Sequence, residues 1–160
     1  VTTEGVEVDF EAQVTEGLTV FGALAYTDAS VDKFRCPQGA SCPPLDGATL
    51  PFAPEWKANI GVNYAMDVFG DKRVDFGLSY TYQDDTQYDL SVNPLSVQPQ
   101  WEVIDATIAL SGPNDRWRFA LLGKNLGDES YSTNLLPGGT QRGVPRDDET
   151  YYGVTARWKF

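Results

Sequence analysis

Apolar and polar residues alternate along this chain at period two, which marks β-strands whose two faces meet different surroundings. Val6, Val8, Phe10, Ala12 and Val14 interleave with Glu7, Asp9, Glu11 and Gln13. Beyond the tight turn Thr15-Glu16-Gly17, Leu18, Val20, Gly22, Leu24 and Tyr26 continue the pattern, so the two runs read as a hairpin. It resumes in Trp56, Ala58, Ile60, Val62 and Tyr64, then after residues 67–71 in Val74, Phe76, Leu78, Tyr80 and Tyr82. Ile104, Ala106, Ile108 and Leu110 lead through a turn at 112–115 into Trp117, Phe119, Leu121 and Gly123, where Leu122 is the clear breach of alternation. Tyr152, Val154, Ala156, Trp158 and Phe160 form the last run. About eight strands are expected.

The connections are sorted as regularly as the strands. Tight turns alternate with long loops at about 29–50, 83–100 and 127–149. Outer-membrane barrels put short turns at one end and extended loops at the other, whereas a soluble sandwich has no reason to do so. Runs of about ten residues are long enough to cross hydrocarbon at a tilt and exceed the usual soluble strand. Trp56, Tyr64, Tyr80, Tyr82, Trp117, Tyr152, Trp158 and Phe160 fall near strand ends on the apolar face, with Val, Ile, Leu and Ala in the middles. That is the aromatic girdle of a barrel, rings at headgroup level. The pattern predicts an all-β, transmembrane, antiparallel up-and-down β-barrel; a soluble barrel or sandwich with aromatics capping its core is the alternative.

Composition agrees with membrane residence without requiring it. The 160 residues would suffice for one domain with its own core. No run of 18 apolar residues exists to make a transmembrane helix, but alternating strands average to a polar hydropathy, here −0.34. A net charge of −11, with 12 scattered Lys and Arg, argues against a nucleic-acid partner. The start, Val1-Thr2-Thr3-Glu4-Gly5, has neither the basic nor the apolar region of a signal peptide, and the chain is expected to be a segment of a longer one. Cys36 and Cys42 sit in a turn-rich stretch and read as a local disulfide, hence an oxidising compartment. With no His and no second Cys pair, a zinc site is a weak alternative.

The polar face carries Glu7, Asp9, Glu11, Arg73, Asp75, Arg116, Arg118, Lys124, Arg157 and Lys159. Ions there need water or partners, and their density favours a wide lumen.

Several blocks resemble a known family. Arg146-Asp147-Asp148-Glu149-Thr150-Tyr151-Tyr152-Gly153-Val154-Thr155-Ala156-Arg157-Trp158-Lys159-Phe160 is similar to the closing strand of TonB-dependent outer-membrane receptors, which end in an R-x-Y-G-v-x-x-r-y-x-F run. Gly123-Lys124-Asn125-Leu126-Gly127-Asp128-Glu129-Ser130-Tyr131 resembles their v-k-N-L-f-D-k-x-Y segment, with Gly127 in place of the usual aromatic or Thr. Pro51-Phe52-Ala53-Pro54-Glu55-Trp56-Lys57-Ala58-Asn59 resembles a strand opening of the family, and Gly5-Val6-Glu7-Val8-Asp9-Phe10-Glu11 its k-G-v-E-l-E strand. Asp147-Asp148-Glu149 widens the usual spacing between Arg146 and Tyr151.

The resemblance implies that residues 1–160 are about the last eight strands of a barrel of about 22, with the plug domain outside this sequence. It implies a cell outer-membrane location and energised import of a scarce ligand: a siderophore-iron chelate, cobalamin or a saccharide. The implied partners are the rest of the barrel and the plug, the TonB complex through an amino-terminal segment, outer-membrane lipid and lipopolysaccharide, and the barrel assembly machinery. Tyr152, Trp158 and Phe160 are expected to form the terminal strand that directs assembly. A passive porin or adhesin-type barrel and a soluble β-rich binding domain are the competing readings.

No enzymatic reading survives. Without His the usual general base is missing, and no Gly-rich phosphate cradle runs from a strand into a helix. The pairs Asp84 with Asp85 and Asp147 with Asp148 are adjacent loop residues, read as solvated acids, and no loop has the spacing of a calcium site. No cofactor is expected. Ligand contact is expected in the long loops, at Tyr88, Trp101, Tyr131, Gln141, Arg142 and Arg146. Rings could stack on a flat chelate or sugar, and Arg could pair with anionic oxygens; equally, these residues could only hold the loops closed.

Overall fold

The computed structural model describes residues 1–90, 93–136, 140–146 and 148–160. The alternating runs become seven long strands: β1 (Thr2–Gln13), β2 (Leu18–Ser30), β3 (Trp56–Val68), β4 (Lys72–Gln83), β7 (Trp101–Ser111), β8 (Trp117–Lys124) and β11 (Tyr151–Trp158). Between them lie β5 (Thr86–Gln87), β6 (Val97–Gln98), β9 (Asn134–Leu135) and β10 (Arg142–Gly143), with 3-10 turns at Pro94–Ser96 and Pro113–Asp115. The long strands form one sheet in the order β1-β2-β3-β4-β7-β8-β11, and each neighbouring pair is antiparallel. Seven strands stand where the sequence suggested about eight. Among the described residues the loops carry no further alternating run and pair as the two-residue ladders β5 with β6 and β9 with β10 and the single bridge of Thr49 to Ser30. The sheet is not closed: β1 and β11 are its edges.

Cross-strand register puts the apolar residues on one face. Ala12, Val20, Val62, Leu78, Ala106, Gly123 and Tyr152 are successive partners across all seven strands, and residues directly opposite share a face. The row starts near the short-turn end of β1 and finishes near the loop end of β11. That cumulative stagger is the shear of strands tilted in a barrel wall. Among the described residues nothing covers this face. Leu78 is 53% exposed, Leu121 57% and Val154 73%. A contiguous apolar surface of this extent calls for another apolar medium, and the strand lengths match a hydrocarbon layer. Among the described residues no helix is long and apolar enough to cross a membrane, which says nothing about strands.

Aromatics border the apolar band at both ends. Tyr26 and Trp56 face one another across β2 and β3 with ring centroids 4.8 Å apart at the loop end. There the Tyr80 hydroxyl donates to Glu102 (2.7 Å) and the Tyr82 hydroxyl to Gln100 (3.2 Å), so the rings lie against the band while their tips reach polar partners. Trp117 and Trp158 pair at the turn end, followed by the fully exposed Phe160.

Some sequence boundaries shift. β1 begins at Thr2 and β2 runs to Ser30, beyond the apolar alternation, because the ladder needs only backbone partners and past the lipid level no apolar side chain is required. β11 stops at Trp158, although Lys159 N–H still donates to Arg116 C=O (2.8 Å). Leu122, the breach in alternation, lies on the polar face against Gly153. On the same face the Phe21 ring lies over its partner Gly61, where an added Cβ would sit 2.2 Å from the ring. Gly17 is fixed by backbone instead: a Cβ there would sit 2.2 Å from Ala65 C=O, while Ala65 N–H donates to Gly17 C=O (2.8 Å).

Candidate functional site

All three long connections (31–55, 84–100 and 125–150) emerge at one end of the sheet, and hydrogen bonds knit them together. Phe52 N–H donates to Gln87 C=O (2.8 Å), and the Phe52 ring meets Tyr88 edge-on, centroids 5.1 Å apart. Tyr88 is 7% exposed, and its hydroxyl donates to Ser132 C=O (2.9 Å), which joins the second loop to the third. Burial pushes this phenol above its ordinary pKa. Ser132 N–H in turn donates to Gln98 Oε1 (2.8 Å). Trp101, at the start of β7, stacks on Tyr131 with ring centroids 4.1 Å apart and 14° between planes. Trp101 Nε1 and Gln87 Nε2 are buried without a hydrogen-bond partner among the described residues.

The third loop is anchored by Asn125, fully buried in a left-handed conformation (φ 48°). Its N–H donates to Asp105 Oδ1 (3.0 Å), and its side chain donates to Glu129 C=O (2.8 Å) and Asp148 C=O (3.2 Å). Its Oδ1 accepts from Glu129 N–H (2.9 Å), and its carbonyl accepts from the Thr150 hydroxyl (2.7 Å). Lys124 Nζ pairs with Asp105 Oδ2 (2.5 Å). Asp148 also accepts from Tyr131 N–H (3.2 Å), so the hub that closes the loop base also sets the ring that stacks on Trp101.

Of the six loop residues expected to touch ligand, the structure brings Tyr88, Trp101 and Tyr131 into this brace. Gln141, Arg142 and Arg146 are exposed outside it. Gln141 C=O closes the loop tip by accepting from Leu136 N–H (3.0 Å), and Arg142 approaches Asp148 at 4.0 Å. Asp147, half of one acidic pair named above, lies outside the described residues. Asp84 Oδ1 accepts from Asp85 N–H (2.9 Å), a contact between neighbours in the chain. Among the described residues no group of three or more possible metal ligands converges. Cys36 and Cys42 form a disulfide in the first loop. Asn125, Gln98, Ser132 and Phe52 were not singled out from sequence; the N-L-x-D block was the one signal for Asn125.

The polar face has its own geometry. A concavity of about 640 Å³ is lined by Arg73, Asp75, Asp105, Thr107, Arg118 and Lys124 among others. Asp75 is held by Arg118 and by Arg73 Nε (2.9 Å), and Arg118 also donates to Ser111 (3.2 Å). The arrangement holds charge toward water on one side of a wall whose other side is apolar.

The family model for "TonB dependent receptor-like, beta-barrel" matches residues 1–126. The chain belongs to this family. The closing-strand block at 146–160 lies beyond the matched residues, but solved receptors share the fold of nearly the whole chain. The ferric yersiniabactin uptake receptor FyuA from Yersinia pestis superposes with TM-score 0.78 at 16% identity, covering 99% of this chain and 23% of that one. The ferric-catecholate import receptor Fiu from K12 E. coli gives 0.75 at 20% identity, covering 99% and 21%. The siderophore receptor PiuA from Acinetobacter baumannii gives 0.72 at 20%, covering 96% and 21%. No curated protein matches by sequence. This TonB-dependent receptor barrel segment thus spans about a fifth of the solved receptors it resembles, all described as receptors rather than enzymes.

Proposed function

We propose that this chain is wall of an outer-membrane receptor that binds a scarce ligand outside the cell and imports it with energy supplied by TonB. The observation that carries the reading is the family match over residues 1–126, and the uncovered apolar face supports the location. Siderophore-iron chelates lead the ligand classes, ahead of cobalamin and saccharides, because the structural relatives are described as a ferric yersiniabactin uptake receptor, a siderophore receptor and a ferric-catecholate import receptor. In this reading residues 1–160 belong to a larger barrel of about 22 strands that surrounds a plug, and the TonB complex acts through that plug's own segment. Lipid and lipopolysaccharide surround the apolar face, and the assembly machinery inserts the barrel. Gln141, Arg142 and Arg146 are the loop residues placed to meet an anionic ligand, while Tyr88, Trp101 and Tyr131 hold the loops in position.

The test is uptake of labelled ferric siderophores by cells that carry the full-length receptor, with and without TonB. Uptake lost without TonB supports the reading; undiminished uptake overturns it in favour of a passive porin.

A further inference from the structure

Ser132 in the third loop is buried, and both of its backbone groups bond to the second loop: its N–H donates to Gln98 Oε1 (2.8 Å) and its C=O accepts from the Tyr88 hydroxyl (2.9 Å). Tyr88 and Gln98 are buried too, and Tyr88 N–H donates to the C=O of the fully buried Ser96 (2.8 Å). The second loop therefore satisfies its polar groups by closing on itself and on the third. Lifting the third loop away breaks both bonds to Ser132 at once, and a buried polar group that loses its partner forfeits more than the bond contributed. Tyr131, the preceding residue, is stacked on Trp101, so that contact parts in the same movement.

The first loop joins from the other side of Tyr88. It folds back along the end of β2, where Leu50 N–H donates to Ala29 C=O (2.9 Å) and Val31 N–H to Ala48 C=O (2.9 Å), and it buries Val31 and Leu45. It then reaches the second loop at Phe52, whose N–H donates to Gln87 C=O (2.8 Å) and whose ring meets the Tyr88 ring. Tyr88 thus gives its ring to the first loop and its hydroxyl to the third. A surface loop held mainly by its own contacts opens alone and at little cost. Here each loop is held in part by groups that belong to another.

We propose that the three long loops are one cooperative unit joined at Tyr88: they share a single opening equilibrium, so loosening one loosens all three, and a ligand that favours the closed form of one stabilises the other two. That this unit stands at the outer mouth of a receptor rests on the reading above; its cooperativity does not.

The test is hydrogen exchange of the full-length receptor in lipid vesicles, read by mass spectrometry at residues 47–52, 86–90 and 126–136, in the variants Tyr88→Phe and Gln98→Ala. Tyr88→Phe keeps the ring against Phe52 and removes only the bond to the third loop; Gln98→Ala removes the partner of Ser132 N–H. Neither change deletes a contact of the first loop. In both variants exchange should speed up by a common factor, about five-fold for one lost hydrogen bond, in all three segments, while residues 58–64 of β3 keep the wild-type rate. Acceleration confined to the second and third loops, with 47–52 unchanged, overturns the proposal, as does no acceleration in any loop. Equal acceleration at 58–64 means that the whole barrel has loosened and overturns it as well. Uptake by the unmodified receptor is measured separately. Uptake that does not depend on TonB overturns the receptor reading without touching the exchange result, and TonB-dependent uptake beside uncoupled loops removes this inference alone.

Discussion

Asn125 and Ile60 show how differently single residues serve this wall. Asn125 satisfies backbone groups at both ends of the third loop from a fully buried site, and its left-handed backbone suits Asn better than most residues. Asn125→Ala removes a partner from Glu129 N–H, Glu129 C=O and Asp148 C=O, all partly buried, at up to about 1–3 kcal/mol each. It should leave the barrel assembled but loosen 126–150, so limited proteolysis of that loop should speed up; unchanged cleavage would mean the hub does not hold it. Ile60 is 47% exposed midway along β3 on the apolar face, between Gly22 of β2 and Tyr80 of β4. Ile60→Arg should cost roughly 2–4 kcal/mol at mid-depth in lipid, measured by reversible unfolding from vesicles. An unaltered folding free energy would mean that this face does not meet lipid.

At the scale of elements, facing was legible from sequence and connection detail was not. Period two alone assigned Val62, Leu78 and Leu121 to one face and Asn63, Ser79 and Ala120 to the other, because a half-wetted sheet imposes that chemistry on each residue. Strand ends were less legible, since beyond the lipid level the ladder continues through Thr2, Thr27 and Ser30 without an apolar mark. The loop brace was the least legible part. Tyr88 and Tyr131 stood out as rings suited to ligand, yet the phenol of one bonds a carbonyl 44 residues away and the ring of the other stacks on Trp101. Such pairings depend on how separate loops meet, which no local pattern encodes. The terminal strand gives a prediction that separates contact from recognition. Phe160 is fully exposed, so its ring adds little packing to the folded sheet. Deleting Phe160 should reduce outer-membrane levels in cells while refolding of the purified barrel into detergent stays normal. Normal levels in cells would remove the assembly role.

For the whole molecule, one fact organises the rest: a sheet with an uncovered apolar face, a charged concave face and two unpaired edges running in the same direction. Its family was legible from four motif blocks spread along the chain, whereas the odd strand count became visible only once register was known. Such a sheet can serve as a barrel wall only with its apolar face toward lipid and its polar face toward water. The most direct test places single spin labels along β3 and β4 of the full-length receptor in lipid vesicles and compares collision with oxygen against collision with a water-soluble nickel complex. Positions 58, 60, 62, 76 and 78 should favour oxygen while 59, 61, 63, 77 and 79 favour nickel, with a period of two. Equal access to nickel at both sets would contradict the account.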